Sequence, residues 1–189
     1  MKRKVAATVL SVLLATSMMP VSAFAENDLS NEKKGATEIT KQINENVYQL
    51  LDFDDKQEEE FATKGFIAAP ETLTIKDDND TTIFDQTVYD FVKDTDAPDS
   101  ANPSLWRNTQ LNANYGLFQV SDDIYQVRGY DISNMTFVRS DSGWIILDCM
   151  ASETTAKAAL DLFKSEMGDV HVSAVIISHA HVDHYGGIQ

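Results

Sequence analysis

Four side chains able to bind a metal fall within six positions of this chain: His179, His181, Asp183 and His184, in the run Ser178-His-Ala-His-Val-Asp-His-Tyr-Gly-Gly187. Neutral imidazole and carboxylate are ligands that Zn²⁺ takes at ~2.0–2.2 Å. In extended backbone, residues i and i+2 point the same way, so His179 and His181 can grip one ion. A turn through Val182 then presents Asp183 and His184 to a neighbouring ion. Such a cluster needs a rigid base, and the apolar run Val170 to Ile177 predicts a buried strand directly before it. Gly186 and Gly187 follow, where a helix can begin and the backbone can pass close to the site without a Cβ. Two metal ions ~3.5–4 Å apart can turn a shared water into a nucleophile at neutral pH. Asp183 is therefore a candidate both for metal ligation and for a catalytic role in orienting that nucleophile. His171, at the far end of the same strand, reads as structural.

The sequence upstream of this loop alternates in texture. Ile39, Ile43, Val47, Leu50 and Leu51 recur as one helical stripe from Thr37 onward. The acidic run Asp52 to Glu60 reads as a solvated helix face or loop. Leu73 to Ile75 and Thr82 to Phe84 flank an Asp/Asn-rich turn and predict a hairpin. Asp94 to Pro103 has linker composition, with Pro98 and Pro103 opposing a helix. Beyond it, the runs 117–120, 124–127, 135–138 and 143–147 are short and β-rich, separated by Asp/Ser/Gly turns. They predict an antiparallel meander. Residues 152–167 then read as a helix with Ser152 as N-cap and Gly168 closing it. The C-terminal half is thus four strands, a helix, a strand and the histidine loop.

The first 25 residues stand apart. Met1-Lys2-Arg3-Lys4 is basic, Val5 to Met19 is apolar, and Ala23-Phe24-Ala25 has the small-x-small form of a cleavage site. This predicts a secretory signal peptide over 1–25, export to a periplasmic or extracellular location, and no stable membrane insertion after cleavage. The domain plan is then a helical and hairpin segment with linker over 26–100, and the strand-rich metal-loop domain over 101–189.

Charge narrows the partners. The chain carries 15 basic and 30 acidic residues, for a net charge of −15. Loss of Lys2, Arg3 and Lys4 with the leader leaves 12 basic residues against the same 30, a net −18. Such a surface repels nucleic acid phosphates and anionic membranes, so nucleic acid is not an expected partner. Cys149 is the single cysteine. No intramolecular disulfide can form, and an apolar setting predicts a buried, inert thiol.

Ser178 to Gly187 resembles the signature of metallo-β-lactamase-fold hydrolases, and Leu147-Asp148 resembles the aspartate that ends a strand in that fold. The stretches Asn102 to Asn112, Tyr115 to Val120, Ile124 to Gly129 and Asp131 to Phe137 are similar to the alkyl sulfatases of that superfamily, enzymes that hydrolyse dodecyl sulfate. The resemblance implies an α/β fold, the N-terminal part of an αβ/βα sandwich preceded by a helical and hairpin segment. It implies two Zn²⁺ ions, with His179 and His181 on one and Asp183 and His184 on the other. The substrate it implies is a linear primary alkyl sulfate, cleaved to alcohol and sulfate, and the complete enzyme it implies is a homodimer. The family's remaining ligands, two acidic residues and a further histidine, lie later in the family's chain. The expectation is therefore an N-terminal fragment, inactive by itself. The alternatives left open are another hydrolase of the same fold (lactamase, thioesterase or phosphodiesterase) and a non-catalytic metal-binding fragment.

Overall fold

A computed structural model describes residues 34–188. The signal peptide expected over 1–25 lies outside the described residues. Ala36 onward forms one compact unit. Helix α1 (Glu38–Leu50) starts at Thr37, whose hydroxyl accepts the Thr40 N–H at 3.2 Å. Its apolar stripe is present but not buried: Ile39, Ile43 and Leu50 are all exposed. The acidic run leads into α2 (Gln57–Thr63), held against the next helix by Arg107, whose guanidinium meets Glu58 at 3.3 Å.

Strand β1 (Phe66–Ala68) pairs antiparallel with β4 (Gly116–Ser121). The hairpin predicted around the Asp/Asn turn forms as β2 (Thr74–Lys76) and β3 (Thr82–Asp85), a separate two-stranded sheet. A 3-10 helix (Gln86–Val92) follows.

Pro103 does not break a helix but starts one, α3 (Pro103–Asn112). Proline is suited to the first helical position, where its missing N–H has no intrahelical partner to lose. Asn102 completes the start by accepting the Ser104 N–H at 2.9 Å.

The meander forms as predicted. Strand β4 is followed by β5 (Ile124–Arg128), β6 (Met135–Ser140) and β7 (Gly143–Leu147), each antiparallel to the last. Helix α4 (Glu153–Met167) then crosses over to β8 (Val172–Ile176), which pairs parallel with β7. The mixed sheet has the order β1-β4-β5-β6-β7-β8.

Alternation sets the core. Tyr125, Val127, Met135, Phe137 and Ile146 point to one face of the sheet and are buried. Helix α4 covers that face with Ala156, Ala159 and Phe163. Phe163 stacks on Phe137 with ring centroids 3.8 Å apart and meets Trp144 edge-on at 4.8 Å. Strand β8 departs from expectation, because Val175 and Ile176 are exposed. It forms one edge of the described sheet, with only β7 beside it.

Candidate metal centre

Parallel pairing builds the site. Strands β7 and β8 run the same way, so their C-terminal ends leave the sheet at one edge. Asp148 follows β7 and Ser178 follows β8, and the Asp148 N–H donates to the Ile176 carbonyl at 2.9 Å. The two side chains meet there. Asp148 Oδ1 accepts the Ser178 N–H at 2.8 Å, and Asp148 Oδ2 accepts the Ser178 hydroxyl at 2.8 Å.

The turn after β7 is unusual backbone. Asp148 and Met150 both adopt positive φ, 58° and 64°, the left-handed region that L-residues other than Asn and Asp seldom enter. Strain of this kind collects where surrounding contacts over-determine the chain. Here the contacts are specific. The Cys149 N–H donates to the His184 carbonyl at 2.9 Å, and the Gly187 N–H to the Met150 carbonyl at 3.3 Å. The 148–150 turn thus clamps the histidine loop from below. Gly187 is required by this closeness: a Cβ there would overlap the Cys149 carbonyl oxygen and the Ala156 Cβ.

The loop does not stay extended: it bends through residues 179–181, His181 takes extended dihedrals as the residue before the helix, and the chain is then helical as the single turn α5 (Val182–Tyr185). The helix therefore begins before Gly186-Gly187 rather than at it. All four predicted ligands come together. His179 Nε2 and His181 Nδ1 face one another at 3.0 Å, and Asp183 Oδ2 and His184 Nε2 at 3.0 Å. The rings of His179 and His184 lie 4.0 Å apart, so the two pairs are neighbours. His171 stays apart in role: its carbonyl accepts the Trp144 N–H at 2.8 Å.

The donor chemistry fits divalent metal. Two ligands at ~2.0–2.2 Å from one tetrahedral ion stand about 3.3 Å from each other, close to both observed separations. Among the described residues no set of three or more His, Cys, Asp or Glu donors closes around one point. Each pair amounts to two of the four ligands that a tetrahedral site would need.

Asp148 is the site residue whose role sequence reasoning left unassigned. Its Oδ2 accepts from His184 Nδ1 at 2.7 Å, which leaves the Nε2 lone pair of the neutral ring on the side of Asp183. A carboxylate behind a metal-binding histidine fixes its tautomer and raises its basicity. Burial pushes the Asp148 carboxyl up, but hydrogen bonds from Ser178 and His184 outweigh it and hold the group below its ordinary range. The hydrogen bond to Asp148 in turn holds His184 above the ordinary imidazole range. Cys149 is buried, and its thiol is raised by that burial and by Asp148 beside it.

A cleft of about 420 Å³ runs from Asp183 and His184 past Leu147 and Ile176 to Gln126 and Thr136. Larger clefts, of about 1040 and 840 Å³, lie against the N-terminal helices and under the β2–β3 hairpin. Neither is lined by any histidine.

Residues 128–189 match the metallo-beta-lactamase superfamily. Over 180 residues the chain is 45% identical to a linear primary-alkylsulfatase from Pseudomonas sp. and 41% identical to an (R)-specific secondary-alkylsulfatase from Pseudomonas sp.. Each match covers 95% of this chain and 26% of the relative. An alkyl/aryl-sulfatase of Saccharomyces cerevisiae is 36% identical over 171 residues, 89% of this chain and 26% of that protein. Among solved structures, the stereoselective inverting sec-alkylsulfatase Pisa1 from Pseudomonas sp. superposes with a TM-score of 0.76 at 43% identity, covering 82% of this chain and 24% of that one. The chain therefore spans about a quarter of the length of these relatives.

Proposed function

We infer, from a chain that carries a metallo-beta-lactamase domain over residues 128–189 and is homologous to alkylsulfatases over most of its length, that the complete gene product is a metal-dependent hydrolase of alkyl sulfate esters. The observation that carries this reading is the pairing of donors at the end of β7 and β8. His179 with His181, and Asp183 with His184, each stand at a separation suited to one shared cation.

Zinc is the metal the donor set favours, being imidazole and carboxylate without thiolate. Metal ions at this place would supply positive charge for an anionic ester and lower the pKa of a water. That charge matters in a chain of net −15, whose own field opposes a sulfate ester. The chain's residues do the holding. His179 and His181 present ring nitrogens to the first position, and Asp183 and His184 present a carboxylate and a ring nitrogen to the second. Asp183 is also the group placed to accept a hydrogen bond from the attacking water. Asp148 keeps the His184 Nδ1 proton, so that Nε2 stays free for the metal.

The substrate within this class is a linear primary alkyl sulfate. The relative with that activity is more alike (45%) than the secondary-alkylsulfatase (41%). Export is part of the same proposal, supported by the basic start, the apolar stretch and the Ala23-Phe24-Ala25 site.

The test is release of inorganic sulfate from dodecyl sulfate by the complete gene product, with His181→Ala as control. The expected result is hydrolysis that is lost on chelation and in the variant. Hydrolysis that persists unchanged in His181→Ala would remove the metal-site reading.

A further inference from the structure

Ser178 precedes the first histidine of the loop and is not itself a candidate metal ligand, yet it touches three groups of the site. Its hydroxyl lies 2.8 Å from Asp148 Oδ2, 2.9 Å from His179 Nδ1 and, at a longer 3.4 Å, near His184 Nδ1, and its N–H donates to Asp148 Oδ1 at 2.8 Å. On the other side of the same carboxylate, Oδ2 takes the His184 Nδ1 proton at 2.7 Å.

The directions of these bonds follow from proton counting. An ionised carboxylate has no proton to give and only accepts. The Ser178 hydroxyl and His184 Nδ1 must therefore both donate to Asp148. A hydroxyl has one proton, and that proton is spent on Asp148. Towards His179, Ser178 Oγ can then only accept, so His179 Nδ1 carries the hydrogen. Neutral imidazole has one N–H, so His179 Nε2 is left with a bare lone pair. That nitrogen is the one facing His181 Nδ1 at 3.0 Å.

We propose that Ser178 is a positioning residue through which a single carboxylate, Asp148, sets the tautomers of both His179 and His184 and so prepares both ligand pairs for metal. His184 receives the carboxylate directly, and His179 receives it through the Ser178 hydroxyl. The two metal positions are thereby unequal in their dependence on Ser178. Removing the hydroxyl frees His179 to adopt the other tautomer and to rotate, while the Asp148–His184 bond stays.

The inference rests on reading residues 179–184 as a two-metal site, and the experiment separates the two claims. Co²⁺ is titrated into the metal-free complete gene product and followed by visible absorption and metal content, for wild type, Ser178→Ala and Ser178→Thr. Thermal unfolding of the metal-free proteins controls for folding. Wild type is expected to bind two ions. Ser178→Ala is expected to lose ~10–100-fold in affinity at one position only, the range seen when a partner behind a ligand is removed. Ser178→Thr, which keeps a hydroxyl, is expected to restore it. Nitrogen shifts of the imidazoles in the metal-free protein should report Nδ1–H for His179 in wild type and a mixture in Ser178→Ala. Two unchanged affinities in Ser178→Ala overturn the role of Ser178 and leave the metal site standing. Equal loss at both positions, or loss that Ser178→Thr fails to restore, assigns a merely structural role and also overturns it. Failure of wild type to bind any Co²⁺ overturns the metal reading and this inference together.

Discussion

The Ser133 hydroxyl donates to the backbone carbonyl of Asp183, a residue fifty positions further along the chain. This bond closes an account that the short helix α5 leaves open. A single helical turn has carbonyls without intrahelical partners. Val182 O accepts from Gly186 N at 2.7 Å, His184 O from Cys149 N at 2.9 Å, and Tyr185 O from Ile188 N at 3.2 Å. Asp183 O has Ser133. Ser133 is itself buried, and its neighbour Asp131 is bolted to the start of α4 through Ala151 N at 3.0 Å and Thr155 Oγ1 at 2.6 Å. Ser133→Ala leaves the Asp183 carbonyl without that partner, and because the bond is part-buried the cost falls at the lower end of the ~1–3 kcal/mol range for a buried group. The expected outcome is a fall of that size in urea-unfolding free energy.

Gly187→Ala should be more damaging than its chemistry suggests. The added methyl meets the Cys149 carbonyl and Ala156 Cβ at less than contact distance. Neither can swing aside, since one is backbone and the other is the first atom of a side chain in the buried face of α4. Overpacking of this kind costs ~1–3 kcal/mol. It also pushes the histidine loop away from the 148–150 turn that holds it. The variant should therefore show both a lower unfolding midpoint and reduced metal uptake in a Co²⁺ titration.

The proximity of the four candidate ligands was legible in the sequence because all four lie within six positions, where local backbone geometry alone brings them together. The meander was legible for a similar reason: Tyr125, Val127, Met135 and Phe137 alternate with polar residues, and hairpin turns keep the strands adjacent. Asp148 and Ser178 were not legible as partners. They stand thirty positions apart and meet only because β7 and β8 pair in parallel, and no local pattern records that pairing. Ser133 is hidden in the same way. Helix α3 was missed because Pro103 signals a break or a start according to whether an N-cap precedes it, and Asn102 was the overlooked cap. Strand β1 is three residues long and contributes too little alternation to register. The apolar stripe of α1 was read correctly as helix, but period alone does not say whether a stripe is covered, and Ile39, Ile43 and Leu50 are exposed.

Phe163 tests the packing that holds β7 and β8 in place. It is fully buried, stacked on Phe137 and edge-on to both Trp144 and Tyr125. Its ring ties α4 to three strands of the sheet. Phe163→Ala should cost ~3–5 kcal/mol, the range for removing a buried aromatic and leaving a cavity. Denaturant unfolding is the measurement. A loss below about 1 kcal/mol would mean that α4 collapses onto the sheet without strain, contrary to the tight Phe163–Phe137 stack.

Acid stability should depend on two aspartates far from the metal loop. Asp85 caps the 3-10 helix: its Oδ1 accepts the Thr87 hydroxyl at 2.6 Å and the Thr87 N–H at 3.0 Å. Those bonds, the hydroxyl first, hold its carboxyl below the ordinary aspartate range. Asp77 organises the β2–β3 turn by accepting the Thr81 N–H and the Asn79 N–H, each at 2.9 Å, and the Thr81 backbone bond is the chief cause of its lowered pKa. A carboxyl whose folded pKa is depressed binds fewer protons when folded than when unfolded. Its contribution is therefore complete above the unfolded pKa, near 3.8, and disappears as pH falls through the lower folded value. Both groups are partly open to solvent, so each effect is small and screened by salt. The urea midpoint of the metal-free protein should hold steady from pH 7 to about 5 with respect to these groups, then fall towards pH 3. Asp85→Asn and Asp77→Asn should each lower the midpoint at pH 7 and flatten its decline below pH 4, because the amide has no proton to gain. A decline as steep in the double variant as in wild type would assign the acid loss to other carboxylates, Asp148 foremost among them.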